Sequence, residues 1–220
     1  MAKSESKPSI GILGGTFDPV HFGHLRTGLD VVEQLQLDQL RLIPCAMPPH
    51  RIEPAASAQQ RRLMLELAIK NHPKLLVDDR ELSREGPSYT VDTLLSLRED
   101  LQANPLFVLM GTDAFLSLPS WSRWQQILEL AHIVVMQRPE EEMLMSDELA
   151  GYYQQHQAKT SDRLLPSGKI WTIPVTQLAI SATAIRDALS EQRDVRYLLP
   201  DAVIALIEQL GLYQPGNGQT

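Results

Sequence analysis

The sequence has little of several features that mark other classes of protein. Its one cysteine, Cys45, excludes an internal disulfide framework and fits a reducing compartment. No apolar run reaches about 18 residues, and the opening segment MAKSESKPS lacks the apolar core of a signal peptide. We therefore expect a cytoplasmic protein with no membrane partner.

Basic residues are also in deficit. The 20 Lys and Arg against 27 Asp and Glu give a formal net charge of −7. Because nucleic-acid binding needs a concentrated basic surface, we expect no nucleic-acid partner. A small anionic ligand stays open, since local donors and helix ends can outweigh the overall sign of the charge.

Short apolar segments alternate with helical ones along the chain. This pattern predicts an α/β protein with a Rossmann-like, doubly wound parallel sheet and helices on both faces. The length of 220 residues suits a single domain, residues 1–220, with flexible ends at 1–8 and 214–220. The predicted strands are 9–13, 39–44, 74–78, 106–110, 133–136 and 170–175, and the predicted helices are 21–37, 59–71, 88–101, 125–130, 147–157, one from Ser181 and 197–210.

The stretch Ile10–Arg26, IGILGGTFDPVHFGHLR, reads as a strand, a glycine turn and a helix start. Glycines let a phosphate approach the backbone, and a helix start offers N–H groups and partial positive charge. We expect Asp18 to be the N-cap and Pro19 the first helical residue. His21 and His24 then lie on one face, where both imidazoles can donate hydrogen bonds to one anion.

Alternatives stay open for these residues taken alone. A Gly-Gly pair is common in ordinary strand-to-helix turns, and paired histidines also bind metals or lie on surfaces. Gly23 lies between the histidines and weakens the helix by roughly 1 kcal/mol relative to alanine. A flat group packed on the backbone would explain that cost.

A second anion site is indicated near residue 181. Ser181 has N-cap chemistry, Thr183 lies in the first turn, and Arg186 points from the second turn. Arginine binds phosphate in a forked geometry. A simple capped helix is the alternative, but two such sites together suit a triphosphate.

Other polar residues follow strands, at the edge where parallel sheets bind ligands. Asp113 can hold a ribose hydroxyl or a magnesium-bound water there, or simply cap a helix. His50, Arg51 and Arg138 leave strands at the same edge. Elsewhere we expect Arg61 and Arg62 to be mostly surface residues, and 140–169 to be a surface insertion or a subunit contact, which leaves a homo-oligomer open.

The motif GGTFDPVHFGHL resembles the signature of the nucleotidyltransferase superfamily that shares an HxGH motif, and is most similar to bacterial nicotinate mononucleotide adenylyltransferases. The segments PPHR, SYTVDTL, GTDAF, WSRW and ISATAIR resemble further segments of that family. No Walker A lysine motif, nucleophile elbow, HExxH or CxxC occurs, so an enzyme of this kind works by position and charge.

The resemblance implies transfer of AMP from ATP to nicotinate mononucleotide with Mg²⁺. It implies catalytic roles for His21, His24 and Arg186, ATP contacts from Gly14, Gly15, Thr16, Phe17, Gly23, Ser181 and Thr183, and substrate contacts from His50, Arg51, Tyr89, Thr90, Asp113, Trp121 and Arg138. The protein ligand of the metal stays open between Asp18 and Asp113.

Two other functions stay open at this point. GGTFDP and a C-terminal S-x-T are shared broadly, so an adenylyltransferase of the same fold could act on nicotinamide mononucleotide or phosphopantetheine. The choice rests on the PPHR, SYT and WSRW segments. The other alternative is a non-catalytic nucleotide-binding module, which would bind ATP without releasing pyrophosphate.

Overall fold

A computed structural model describes residues 7–46, 53–84, 86–138 and 142–214. Within these ranges six parallel strands form one sheet in the order β3-β2-β1-β4-β5-β6. The order reverses between β1 and β4, which opens a crevice at their carboxyl ends. The strands are β1 (Ile10–Gly15), β2 (Gln39–Pro44), β3 (Leu75–Val77), β4 (Leu106–Gly111), β5 (His132–Gln137) and β6 (Ile170–Pro174).

Helices cover both faces of the sheet. The α-helices of the described ranges are α1 (Phe22–Gln34), α2 (Ala58–Ile69), α3 (Thr90–Leu101), α4 (Thr112–Leu116), α5 (Trp124–Leu130), α6 (Asp147–His156), α7 (Ala182–Ser190) and α8 (Asp201–Leu210), with 3₁₀ helices at Leu118–Ser120 and Thr160–Leu164. No helix in these ranges is long and apolar enough to cross a bilayer.

The core consists of two apolar layers, one on each side of the sheet. Leu13 of β1 packs in the layer under α1, α2, α7 and α8, whereas Ile10 and Ile12 pack in the layer under α3, α4, α5 and α6. Strands buried on both faces are typical of a parallel sheet with helical crossovers. The predicted doubly wound α/β fold is therefore confirmed.

The start of α1 differs from the prediction. His21, not Asp18, is the N-cap, and the helix begins at Phe22. Phe17 has φ +52° and the chain turns again at Asp18 and Pro19 before the helix can form. This extra turn buries Phe17 and Val20 at 2% and 0% exposure, so packing overrides the local helix-start signal.

Candidate active site

A cavity of about 1330 Å³ lies at the carboxyl edge of the sheet, where β1 and β4 diverge. The cavity is larger than the roughly 300–1,000 Å³ typical of a site for one small ligand. The predicted site residues that line it are Gly14, Gly15, Thr16, Phe17, His21, Gly23, His24, Arg138, Ser181, Thr183 and Arg186. The structure thus brings the two predicted anion sites into one cavity.

The starts of α1 and α7 are in direct proximity. A Cβ on Gly23 would lie 3.6 Å from the carbonyl oxygen of Ile180, just before α7. The guanidinium of Arg186 donates to the main-chain oxygen of Asp18 at 2.7 Å, across the same gap. One polyphosphate can therefore reach donors of both helices.

The rings of His21 and His24 are in contact, with centroids 3.7 Å apart and planes tilted by 31°. The main-chain N–H of His21 donates to Nδ1 of His24 at 3.3 Å. Because Nδ1 accepts, the proton of the neutral His24 ring is on Nε2, which makes that nitrogen a donor. Nε2 of His24 is thus set to donate a hydrogen bond while the ring is neutral.

Burial determines the charge state of both histidines. It lowers the pKa of His21 to about 4, and together with the neighbouring His21 it lowers the pKa of His24 to about 3. Nδ1 of His21 is also buried without a hydrogen-bond partner among the described residues. Both rings are therefore neutral near pH 7, and their protonation would be favoured only by an anion placed beside them.

Gly23 is required by the His21 ring. A Cβ at this position would lie 2.9 Å from Nδ1 and Cε1 of His21, closer than real Cβ atoms approach. The flat group expected on the helix backbone is thus the imidazole of His21. Glycine at position 23 has a low helix propensity, but its lack of a Cβ leaves room for the N-cap side chain, His21, to lie over the first turn.

Phe17 supports the histidines. Its side chain is 2% exposed, and its ring contacts the imidazole of His24 edge to face, with centroids 5.1 Å apart. Little of the side chain is accessible from the cavity. Phe17 also lines the cavity, so its ATP contact stays a prediction beside its role in fixing the His24 ring, which packing geometry alone could reveal.

The two helix starts differ in their free donors. In α1, the N–H groups of Phe22 and His24 already donate to main-chain oxygens of Leu198 and His21. The imidazoles, rather than a row of free N–H groups, thus supply most donors at this end. In α7, Ser181 is the predicted N-cap and accepts from the N–H of Ala184 at 3.1 Å.

Asp18 anchors a loop instead of capping a helix. Its carboxylate accepts hydrogen bonds from the N–H groups of Ala55 at 2.8 Å and Ala56 at 3.1 Å. These donors give Asp18 a structural role, and the choice between Asp18 and Asp113 as protein ligand of the metal stays a prediction. Its contacts place Pro54 and Ala55 in the cavity wall.

Arg61 is buried at 1% exposure, so the expectation that it lies on the surface is wrong. Its guanidinium donates to the main-chain oxygens of Thr16, at 2.8 Å, and of Ala56, at 3.2 Å. These contacts compensate for burial of the charge. Arg61 thus fixes the glycine turn to the same loop that Asp18 holds.

Four predicted substrate residues, Tyr89, Thr90, Asp113 and Trp121, are not among the described lining residues of the cavity. Tyr89 is the N-cap residue of α3, and its side chain makes no capping hydrogen bond. Tyr89 and Trp121 pack against the apolar layer under α3, α4, α5 and α6. An ion pair between Arg123 and Asp92 links the two segments that carry them. Asp113 is exposed in the first turn of α4. His50 and Arg51 lie outside the described residues.

The start of α3 is close to the cavity through the end of β2. The N–H of Cys45 donates to the oxygen of Gly15 at 3.0 Å, and the N–H of Ala46 donates to Oγ of Ser88 at 3.2 Å. Gly15 lines the cavity, and Ser88 directly precedes the N-cap of α3. Only the end of β2 thus lies between the start of α3 and the cavity.

The segment 175–178 also lines the cavity, although no residue of it was expected there. The N–H of Thr176 donates to Oδ2 of Asp30 in α1 at 2.7 Å. Burial alone would raise the pKa of Asp30, but hydrogen bonds from Thr176 and Arg26 outweigh it and lower that pKa. The segment follows β6 at the ligand edge, which is the signal that could have found it.

A parallel sheet whose crevice joins two helix starts, neutral imidazoles, hydroxyls and a guanidinium defines a nucleotide-binding protein of the Rossmann-like class. Comparison with known proteins agrees with this class. The model of the cytidylyltransferase-like family matches residues 12–188. A protein of Methylococcus capsulatus named "Probable nicotinate-nucleotide adenylyltransferase" is 49% identical over 207 residues, which are 93% of this chain and 99% of that protein.

A protein of Pseudomonas fluorescens with the same name is 49% identical over 212 residues, covering 94% of this chain and 98% of its own. The chain therefore belongs to the cytidylyltransferase-like family, among the nicotinate-nucleotide adenylyltransferases. The structure of Plasmodium falciparum nicotinic acid mononucleotide adenylyltransferase complexed with NaAD has a TM-score of 0.72 at 18% identity, covering 94% of this chain and 97% of that one, which supports the fold.

Proposed function

We propose that this chain transfers the adenylyl group of ATP to nicotinate mononucleotide, giving nicotinate adenine dinucleotide and pyrophosphate. The observation that carries the proposal is the single cavity in which His21, His24, Ser181, Thr183 and Arg186 meet. Adenylyl transfer needs donors along one triphosphate, and both helix starts provide them. The identity of the substrates is inferred from the related nicotinate-nucleotide adenylyltransferases.

The chemistry is an in-line displacement. A phosphate oxygen of nicotinate mononucleotide attacks the α-phosphorus of ATP, and the bond from that phosphorus to the bridging oxygen of pyrophosphate breaks. The second pKa of a phosphate monoester is about 6, so the nucleophile is already ionised near pH 7 and needs no general base. The protein contributes position and charge stabilisation.

His21 and His24 hold the α- and β-phosphates in this proposal. Their rings are neutral in the free protein, and Nε2 of His24 is a fixed donor. Negative charge that develops on the phosphates is stabilised by donors already oriented before the reaction. Ser181, Thr183 and Arg186 hold the departing pyrophosphate from the opposite helix.

Mg²⁺ fits this donor set as a companion of the triphosphate. No group of three or more acidic, histidine or cysteine side chains that could hold a metal occurs in the described ranges, and Mg²⁺ commonly binds through phosphates, waters and one carboxylate. Asp113, two residues beyond Gly111 of the cavity wall, would hold a magnesium-bound water. When bound, the ion would neutralise part of the negative charge of the phosphates.

We place nicotinate mononucleotide between the cavity and the start of α3, with Tyr89, Thr90 and Trp121 around the pyridine ring. The short link from Gly15 through Cys45 and Ala46 to Ser88 supports this placement, because it sets the two regions side by side. Arg138 lines the cavity and is assigned to the substrate phosphate. His50 and Arg51 keep the same predicted role.

Pyrophosphate release, coupled to inorganic pyrophosphatase, tests the proposal. Purified protein with ATP and Mg²⁺ should release pyrophosphate rapidly with nicotinate mononucleotide and more slowly with nicotinamide mononucleotide or phosphopantetheine. Preference for either of the last two would replace the proposed substrate. ATP binding with no pyrophosphate release from any acceptor would favour a non-catalytic module.

A further inference from the structure

The carboxylate of Asp18 has a third donor from the far end of the chain. Oη of Tyr213 donates to Oδ1 of Asp18 at 2.6 Å, although the two residues are 195 positions apart. Asp18 is 5% exposed. The two loop N–H groups and this phenol together satisfy the carboxylate, as a buried charge requires.

The end of α8 delivers Tyr213 to this position. Gly211 ends the helix at φ +62°, and the N–H of Leu212 donates back to the oxygen of Ile207 at 3.0 Å. Tyr213 itself has φ +62° and packs against the apolar layer shared with α1, α7 and α8. A left-handed non-glycine residue is strained, so the hydroxyl contact and the packing must hold it there.

Arg186 competes for the same carboxylate. Its Nη1 lies 4.0 Å from Oδ2 of Asp18 while donating to the main-chain oxygen of that residue at 2.7 Å. Its Nη2 donates to Oγ1 of Thr183 at 3.3 Å. The guanidinium therefore borders the cavity beside a buried anion, close enough to move into a tight ion pair with it.

We propose that Tyr213 is a positioning residue that keeps Arg186 available to the polyphosphate. The phenol satisfies Asp18 without bringing a positive charge, so the carboxylate does not need the guanidinium. Burial and the Asp18 charge raise the pKa of Tyr213, which keeps the hydroxyl protonated. Without that hydroxyl, the nearest donor to Oδ1 is lost and Arg186 turns from the cavity toward Asp18.

This role rests on the proposed contact between Arg186 and ATP phosphates. Tyr213→Phe removes the hydroxyl and keeps the ring packing. We expect the KM for ATP to rise about tenfold, the equivalent of one lost charge-assisted contact, and the KM for nicotinate mononucleotide to change less than twofold. Equal rises of both KM values, or no rise for ATP, would overturn the assignment.

Tyr153→Phe is the matched control. Its hydroxyl lies 2.9 Å from Oγ1 of Thr172, and its ring packs against the other apolar layer of the sheet. This control loses a neutral hydrogen bond of the same hydroxyl and should show a smaller fall in Tm, with both KM values unchanged. An increased KM for ATP in Tyr153→Phe would show that general loosening, and not Asp18, explains the effect.

The Arg186→Ala background separates a positioning role from a structural one. If Tyr213 acts through Arg186, Tyr213→Phe should not weaken ATP binding further once Arg186 is absent. An undiminished tenfold effect in that background would contradict the proposal.

Calorimetric titration with an α,β-methylene analogue of ATP reads these contacts without turnover. A wild-type protein that binds the analogue but releases no pyrophosphate from ATP in the presence of nicotinate mononucleotide would contradict the proposed function. Comparison of the analogue's Kd between the wild-type protein and Tyr213→Phe would then still test the positioning role of Tyr213.

Discussion

His24→Ala is the perturbation that bears most directly on how the protein stabilises charge. The structure fixes the His24 ring from two sides, by the N–H of His21 on Nδ1 at 3.3 Å and by the edge contact with Phe17. Nε2 is therefore a preoriented donor, and burial lowers the pKa of His24 to about 3, so the donor is neutral. Alanine removes it without changing the net charge of the free protein near pH 7.

The expected magnitude follows from that geometry. Loss of one preoriented donor to developing negative charge costs about 3–4 kcal/mol in the barrier, or roughly 10²–10³ in kcat. His24→Gln can place an amide N–H near the position of Nε2, whereas His24→Asn reproduces only the position of Nδ1. We expect glutamine to retain more activity than asparagine or alanine.

The assay is steady-state pyrophosphate release at saturating ATP and nicotinate mononucleotide, with Tm measured on each variant. His156→Ala, on α6 and not among the described lining residues of the cavity, is the control and should keep the parental kcat. A His24→Ala protein that is folded and turns over within a few-fold of the parent would refute the donor role.

Three further predictions follow from the same site. Gly23→Ala should lower kcat at least tenfold with little change in Tm, since its Cβ would displace the His21 ring from 2.9 Å; unchanged kinetics would show that this ring position does not matter. Burial lowers the pKa of His21 from its usual 6.5 to about 4, so the stability contributed by its neutral ring is complete above pH 6.5 and is lost as pH falls toward 4. The free energy of unfolding in urea should be about 2 kcal/mol lower at pH 5 than at pH 7.5 from His21 alone. Equal free energies at the two pH values would contradict the burial of His21 as a neutral group. Chelation of divalent ions should abolish pyrophosphate release and added Mg²⁺ should restore it, whereas activity that survives chelation would remove the metal from the account.

Sequence alone predicted the features that depend on local pattern. The inner strands β1 and β4 are apolar over their whole length because both faces of the sheet are covered, and Ser181 caps α7 by accepting from the N–H of Ala184, three residues away. Both signals are contained in a few consecutive residues. This explains why the fold and the N-cap of α7 were predicted correctly, whereas the N-cap of α1 was not.

Contacts between distant segments could not be predicted in this way. Asp18 has ordinary N-cap chemistry, yet its donors lie 37 and 195 residues further along the chain. Arg61 has the pattern of a surface arginine, yet it donates to Thr16, 45 residues earlier. In both cases a buried charge is stabilised by partners that only the assembled fold brings together.

The central claim is that the starts of α1 and α7 bind one polyphosphate between them. A crystal structure with nicotinate mononucleotide and an α,β-methylene analogue of ATP measures this directly. We predict phosphate oxygens within hydrogen-bond distance of His24 Nε2 and, in the same triphosphate, of Ser181 or Arg186. A triphosphate that contacts only one of the two helix starts would contradict it.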